Sequence, residues 1–123
     1  MNVSEIAFTT YPVKDMDRAV GFYERVIGLT KTMDHRTEGG RWVEFDIGAG
    51  TLGLGKMEGW EPSPQGGTAG LEVDDFEQAL AEVRAAGVTI TMGPIETPVC
   101  HMLMIQDTEG NPLILHHRKP GHA

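Results

Sequence analysis

The chain has 123 residues, 40% hydrophobic and 23% charged, enough to bury the core of one globular domain and too few for two ordinary ones. Eighteen Asp and Glu against ten Lys and Arg leave a formal net charge of −8, so a phosphate backbone would be repelled and nucleic acid is not an expected partner. No apolar run of about 18 residues is present to span a membrane, MNVSEIAFTT lacks the basic start and apolar stretch of a signal peptide, and the single Cys100 excludes an intrachain disulfide framework or a thiolate-rich zinc site; a cytoplasmic protein is expected.

The elements then follow in order. Ile6 to Val13 reads as a strand, and Met16, Ala19, Val20, Tyr23 and Ile27 form one helical stripe, capped by Asp15 and closed by Gly28. Leu29 to His35, Trp42 to Ile47 and Thr51 to Lys56 read as three strands. After a Gly- and Pro-rich loop, MEGWEPSPQGG, the same order returns. Thr68 to Val73 is a strand, and Asp75 caps a helix with the stripe Phe76, Ala79, Leu80 and Val83, with Gln78 in capping-box position and Gly87 at the end. Val88 to Met92, Cys100 to Gln106 and Leu113 to Arg118 are strands, the last two joined by the turn Asp107 to Pro112.

A shift of 60 residues places Asp15 on Asp75 and Tyr23 on Val83, so the chain is an internal duplication. The expected fold is α+β: two tandem βαβββ modules, residues 1–56 and 68–119, joined by a loop at 57–67, together forming a cupped mixed sheet. Strand alternation assigns faces. Leu52 and Leu54, Val43 and Phe45, and Leu113 and Leu115 go toward the helices. Thr51, Gly53 and Gly55, Trp42, Glu44 and Asp46, Thr68, Gly70 and Glu72, and Ile114 and His116 go to the opposite face, which is glycine-lined and partly polar. Residues 100–106 are apolar at both parities, and their facing is left open.

The segments PVKDMDRAVGFYERVIGL, GLEVDDFEQALAEVRAAGV and QDTEGNPLIL resemble the vicinal oxygen chelate superfamily of glyoxalases, extradiol dioxygenases, methylmalonyl-CoA epimerases, and fosfomycin- and bleomycin-resistance proteins. The resemblance implies a divalent metal held by His and Glu at four strand positions. Here those positions carry Phe8, Gly53, Thr68 and Ile114. Phe, Gly and Ile offer no side-chain lone pair, and a neutral Thr hydroxyl is a poor donor to Mn, Fe, Ni or Zn. No cofactor is therefore expected, and a divalent metal would need displaced ligands.

Other residues are weighed on their faces. His116 and Glu44 are the candidate catalytic groups: an imidazole able to serve as acid, base or polar anchor and a carboxylate able to move protons in an apolar concavity. The blander alternatives are a surface histidine beside Arg118 and Lys119, and a salt bridge from Glu44 to Arg41 or Arg36. His116 and His117, adjacent on a strand, point to opposite faces and cannot chelate one ion together, and His122 is tail. Glu72 is a second carboxylate on the open side. Trp42 offers a stacking surface or a module contact, and Trp60 a movable lid. His101, Met102 and Met104 line the ligand site or the core, depending on the facing of their strand, and Cys100 is an inert buried thiol. Phe8, Gly53, Thr68 and Ile114 complete the expected ligand-binding set.

Two functions are expected from these residues. The first is a metal-independent protein of the bleomycin-resistance kind that binds a small organic molecule. The alternative is a glyoxalase-type lyase or isomerase, using displaced metal ligands or metal-free acid–base catalysis by Glu44 and His116. Two modules with one helix each leave half of their sheet surface uncovered, so a homodimer is expected, with Trp60 and its loop at the interface.

Overall fold

The computed structural model describes residues 1–121 and divides at Pro62/Ser63 into two compact units. In the first, β1 (Thr9–Pro12) leads to α1 (Met16–Phe22), and β2 (Lys31–Thr37), β3 (Gly40–Ile47) and β4 (Gly50–Met57) follow. In the second, β5 (Ala69–Glu72), α2 (Phe76–Ala85), β6 (Ile90–Glu96), β7 (Cys100–Gln106) and β8 (Pro112–Arg118) repeat that order. Each unit is a four-stranded mixed sheet, ordered β1-β4-β3-β2 and β5-β8-β7-β6, with the first strand parallel to its neighbour and the other pairs antiparallel. The chain is thus two βαβββ modules.

The helices start and stop by the same chemistry in both units. Asp15 Oδ1 accepts from the Arg18 N–H and Asp75 Oδ1 from the Gln78 N–H, both at 3.0 Å, which satisfies a donor that the first helical turn leaves free. The capping box is only half formed, because the Gln78 amide donates to Glu82 Oε1 at 2.9 Å instead of turning back to Asp75. Gly28 and Gly87 close the helices at φ of 85° and 68°, a region open to glycine at no steric cost.

The repeat slips by one residue between cap and closure. Asp15 and Asp75 are 60 apart, whereas Gly28 and Gly87 are 59 apart. The extra residue is absorbed by a π-helical turn at Tyr23–Ile27, where one residue more is wound into the helix end. As a result the Leu29 N–H reaches back to Tyr23 O (2.9 Å), while in the second unit Val88 reaches Val83 O (3.1 Å).

Each core lies between the helix and the inner face of its own sheet, with α1 over β4 and α2 over β8. Val43, Phe45, Leu52 and Leu54 are buried in the first unit and Leu103, Ile105, Leu113 and Leu115 in the second, all by strand alternation. Cutting Leu54, which is fully buried, back to Ala would cost about 2–5 kcal/mol. The β7–β8 turn is held by Asp107, whose Oδ1 accepts from the Glu109 and Asn111 N–H groups at 2.8 and 2.9 Å. Buried Asn111 donates from Nδ2 to Asp107 Oδ2 and accepts the Ser63 N–H at Oδ1, both at 3.2 Å, tying the start of the second unit to its turn.

Candidate functional site: the open sheet faces

The sheet face opposite each helix carries the residues with chemistry to offer. In the first unit, register aligns Pro12, Gly55, Trp42 and His35 in one row and Thr10, Gly53, Glu44 and Met33 in the next. The glycines are a floor for indole rings. A Cβ on Gly53 would lie 2.9 Å from Trp42 Cζ2, and one on Gly55 would lie 2.8 Å from Trp60 Cζ3. The room expected over this face is therefore filled by the chain's own two tryptophans.

The aromatics form a connected group. Phe8 meets Trp42 edge-on at 5.4 Å and 82°, and Trp60 meets it at 6.4 Å and 67°, both arrangements favoured by the ring quadrupole. Trp42 Nε1 donates to Glu44 Oε2 at 2.7 Å, so Glu44 is held by an indole. Of the two arginines suggested for it, Arg41 is engaged elsewhere, donating to Asp34 through Nε and Nη2 (2.9 and 2.7 Å) and to Asp17 through Nη1 (2.7 Å). Hydrogen bonds from Arg41 and then Lys31 hold the Asp34 carboxyl well below the usual carboxylate range, and Arg41 lowers Asp17 as well. Among the described residues, Thr10 Oγ1 is buried without a hydrogen-bond partner, and it stands 3.2 Å from the Cβ position of Gly53.

In the second unit the equivalent rows are Glu72, His116, Met102 and Ile95, and Gly70, Ile114, Met104 and Met92. His116 Nδ1 donates to Glu72 Oε1 at 2.5 Å; a carboxylate only accepts, so the proton sits on Nδ1. The Arg118 N–H donates to Glu72 Oε2 at 2.7 Å, and this bond, followed by the His116 contact, keeps Glu72 below the usual range, the opposite of a carboxylate raised by an apolar setting. His117 turns to the other face and donates to Val73 O at 2.7 Å.

The facing left open for residues 100–106 is settled from His101 to Ile105. Leu103 and Ile105 are fully buried on the helix side, and His101 goes with them, stacked on Phe76 at 5.3 Å and 28°. His101 therefore stands on the helix side against Phe76, not on the open face with Met102 and Met104. Met102 and Met104 take the open face. Cys100 is buried, with Sγ 3.1 Å from Thr97 Oγ1. Phe8 and Thr68 each stand one residue ahead of their strands, and Ile114 lies between Gly70 and Met104. His122 lies outside the described residues.

Several residues on these faces escaped the sequence reading. Met33, His35 and Met92 face the same way as Trp42 and Met102 by register, a signal that needs the β2 and β6 pairings and their bulges. An open depression of about 780 Å³ in the first unit is lined by Lys14, Arg36, Arg41 and Lys56 and by Asp15, Asp17, Glu38 and Glu58. With its charges balanced, it favours no single ligand charge.

The family model of the glyoxalase/bleomycin resistance protein/dioxygenase superfamily matches residues 5–115. The chain belongs to that superfamily. Within it, the chain is 23% identical over 134 residues to a Vibrio cholerae protein described as "probable lactoylglutathione lyase", covering 100% of this chain and 97% of that protein. It also superposes on TnmS3, an antibiotic binding protein from Streptomyces sp. CB03234, with 25% identity, TM-score 0.75 and coverage of 97% and 99% of the two chains. The fosfomycin resistance protein FosX of Listeria monocytogenes, at 13% identity, TM-score 0.76 and 97% coverage of each chain, shares the fold.

The superfamily's divalent metal does not fit the four positions that would hold it. Phe8, Gly53, Thr68 and Ile114 supply one neutral hydroxyl between them, and position 53 is overlain by Trp42. Among the described residues, neither unit gathers three His, Cys, Asp or Glu side chains able to hold a metal ion. No described helix is long and apolar enough to cross a membrane.

Proposed function

We propose that the protein binds a small organic molecule on the aromatic face of the first unit, without the superfamily's divalent metal. The observation that carries this is the group Phe8, Trp42 and Trp60 standing over Gly53 and Gly55, with Glu44 anchored by the Trp42 indole. Phe8 and Trp60 are 47% and 37% exposed, so ring faces are available for a flat or cationic guest. Glu44 brings a carboxylate with one oxygen committed to Trp42 and the other available to a ligand cation or donor. The orphaned Thr10 hydroxyl at the glycine floor is a polar group that a rearranged, ligand-bound face would satisfy. The likeness to an antibiotic binding protein supports the same reading.

Both tryptophans of the chain lie on this face, so intrinsic fluorescence reads the site directly. Titration with a panel of cationic and neutral polycyclic aromatic antibiotics should quench or shift the emission and raise the Tm. Trp42→Phe should weaken that response. A panel that leaves fluorescence and Tm unchanged, while a divalent ion stabilises the protein, would remove the reading.

The Glu72–His116 pair is the arrangement that favours the alternative, a lyase working by metal-free acid–base chemistry. Hemithioacetal turnover that is lost in His116→Ala would support it. We further propose that the chain works as a homodimer, since each sheet leaves one face without a helix.

A further inference from the structure

The second unit's open face collects soft donors. Met102 pairs directly with His116 across β7 and β8, Met104 with Ile114 in the next row, and β6 brings Met92 opposite Met104. Paired residues share a face at about 4.5–5.5 Å between Cβ atoms, and diagonal neighbours lie about 7–8 Å apart. Met102 and Met104 thus flank His116 directly and diagonally, within reach of unbranched side chains with three rotatable bonds. Both are half-buried on the side opposite Leu103 and Ile105, which fill the core beneath the helix.

The imidazole is held as a metal-binding histidine is held. Nδ1 donates to Glu72, which the Arg118 amide fixes in turn. Nε2, on the ring edge away from Glu72, makes no hydrogen bond among the described residues. A carboxylate behind an imidazole sets the tautomer and raises the basicity of the free nitrogen. Glu72, the carboxylate of this row, is already engaged, so what remains is neutral: two or three thioethers and one imidazole. Thioethers select soft ions, while zinc and the harder divalent metals prefer carboxylate, imidazole and thiolate.

We propose that Met102, Met104 and His116 bind a soft monovalent cation of the Cu(I) class, with Met92 as an additional thioether and Glu72 as the positioning residue. The site lies on the other unit from the aromatic face and stands or falls independently of the organic-ligand reading.

The test uses the full chain labelled with ¹³C at the methionine methyls, with Ag(I) as an air-stable probe and Cu(I) buffered by bicinchoninate. One equivalent of Ag(I) should shift the methyl signals of Met102 and Met104, assigned by Met102→Leu and Met104→Leu, while Zn(II) leaves them in place. Each Leu variant and His116→Gln should weaken Cu(I) retention about tenfold or more, and Glu72→Gln about tenfold. Leu nearly conserves the volume of Met, so the fold should survive. Shifts confined to other methionines, equal shifts with Zn(II), unchanged retention in the Leu variants, or loss of binding in Cys100→Ser would each overturn the proposal. Should Cys100→Ser fail to fold, the methyl spectra of the unaltered chain decide it.

Discussion

Adding one methyl group to each floor glycine separates the two tryptophans by how they are held. In Gly53→Ala the new Cβ meets Trp42 Cζ2 at 2.9 Å and Thr10 Oγ1 at 3.2 Å. Trp42 sits mid-strand and is tethered to Glu44 at 2.7 Å, so the ring must turn against that bond. A hydrogen bond to a charged group contributes about 1.5–3 kcal/mol and core overpacking costs about 1–3 kcal/mol, while Ala for Gly returns about 0.4–1 kcal/mol through the unfolded chain. A net loss of about 1–3 kcal/mol is expected, or a Tm lower by about 4 °C per kcal/mol. In Gly55→Ala the closest contact is with Trp60 Cζ3 at 2.8 Å, the far end of a half-exposed loop side chain that can swing away, while Trp42 Cε3 stands farther off at 3.3 Å and has to give by only a few tenths of an ångström. That variant should keep its stability within about 1 kcal/mol and instead show red-shifted tryptophan emission. Urea unfolding followed by circular dichroism, with emission spectra of the native states, tests both. A neutral Gly53→Ala, or a Gly55→Ala more destabilised than Gly53→Ala, would refute the seating of the indoles.

The Asp34 carboxyl is lowered in the folded state by Arg41 and Lys31, so its stabilisation is present above the unfolded value near 4 and is lost as pH falls below it; Tm measured from pH 6 to 2 should drop below about pH 4, and less steeply in Asp34→Asn. Asn111→Ala removes one partner from buried Asp107 and the acceptor of the Ser63 N–H, and should cost about 2 kcal/mol or more in urea unfolding; an unchanged midpoint would show that the turn does not need it. Sedimentation equilibrium at micromolar concentration should give the mass of two chains, and a single-chain mass throughout would sink the dimer.

Local rules made most of the fold legible. Asp15 and Asp75 cap, Gly28 and Gly87 close, and the alternation of Val43, Phe45, Leu52, Leu54, Leu113 and Leu115 picks out the core face, because each depends on a few neighbouring residues. The strand starts were harder to read. Leu29 and Val88 look like strand residues, but their N–H groups are taken by the preceding helix ends, so β2 and β6 start later. Ile6 continues the β1 pattern, yet β1 begins only at Thr9, where pairing with Leu52 begins. The facing of β7 was hidden because both parities are apolar, and only packing of His101 on Phe76 and burial of Leu103 separate them. The glycine-rich face was legible as a face. That its space is taken by Trp42 and Trp60 was not, since Trp60 comes from a loop with no periodicity.

The duplication carries a consequence for how such a chain can change. Equivalent positions hold Trp42 and Met102, Glu44 and Met104, Gly53 and Ile114, and Gly55 and His116, while the alternate positions hold Val43 and Leu103, Phe45 and Ile105, Leu54 and Leu115. One molecule thus contains two chemically unrelated surfaces mounted on nearly interchangeable foundations. Because a strand sends successive side chains to opposite sides, every second residue can be exchanged for new recognition chemistry while its neighbours go on supplying the folding energy. Recognition chemistry can thus diverge on one side of a strand while the other side keeps a common core.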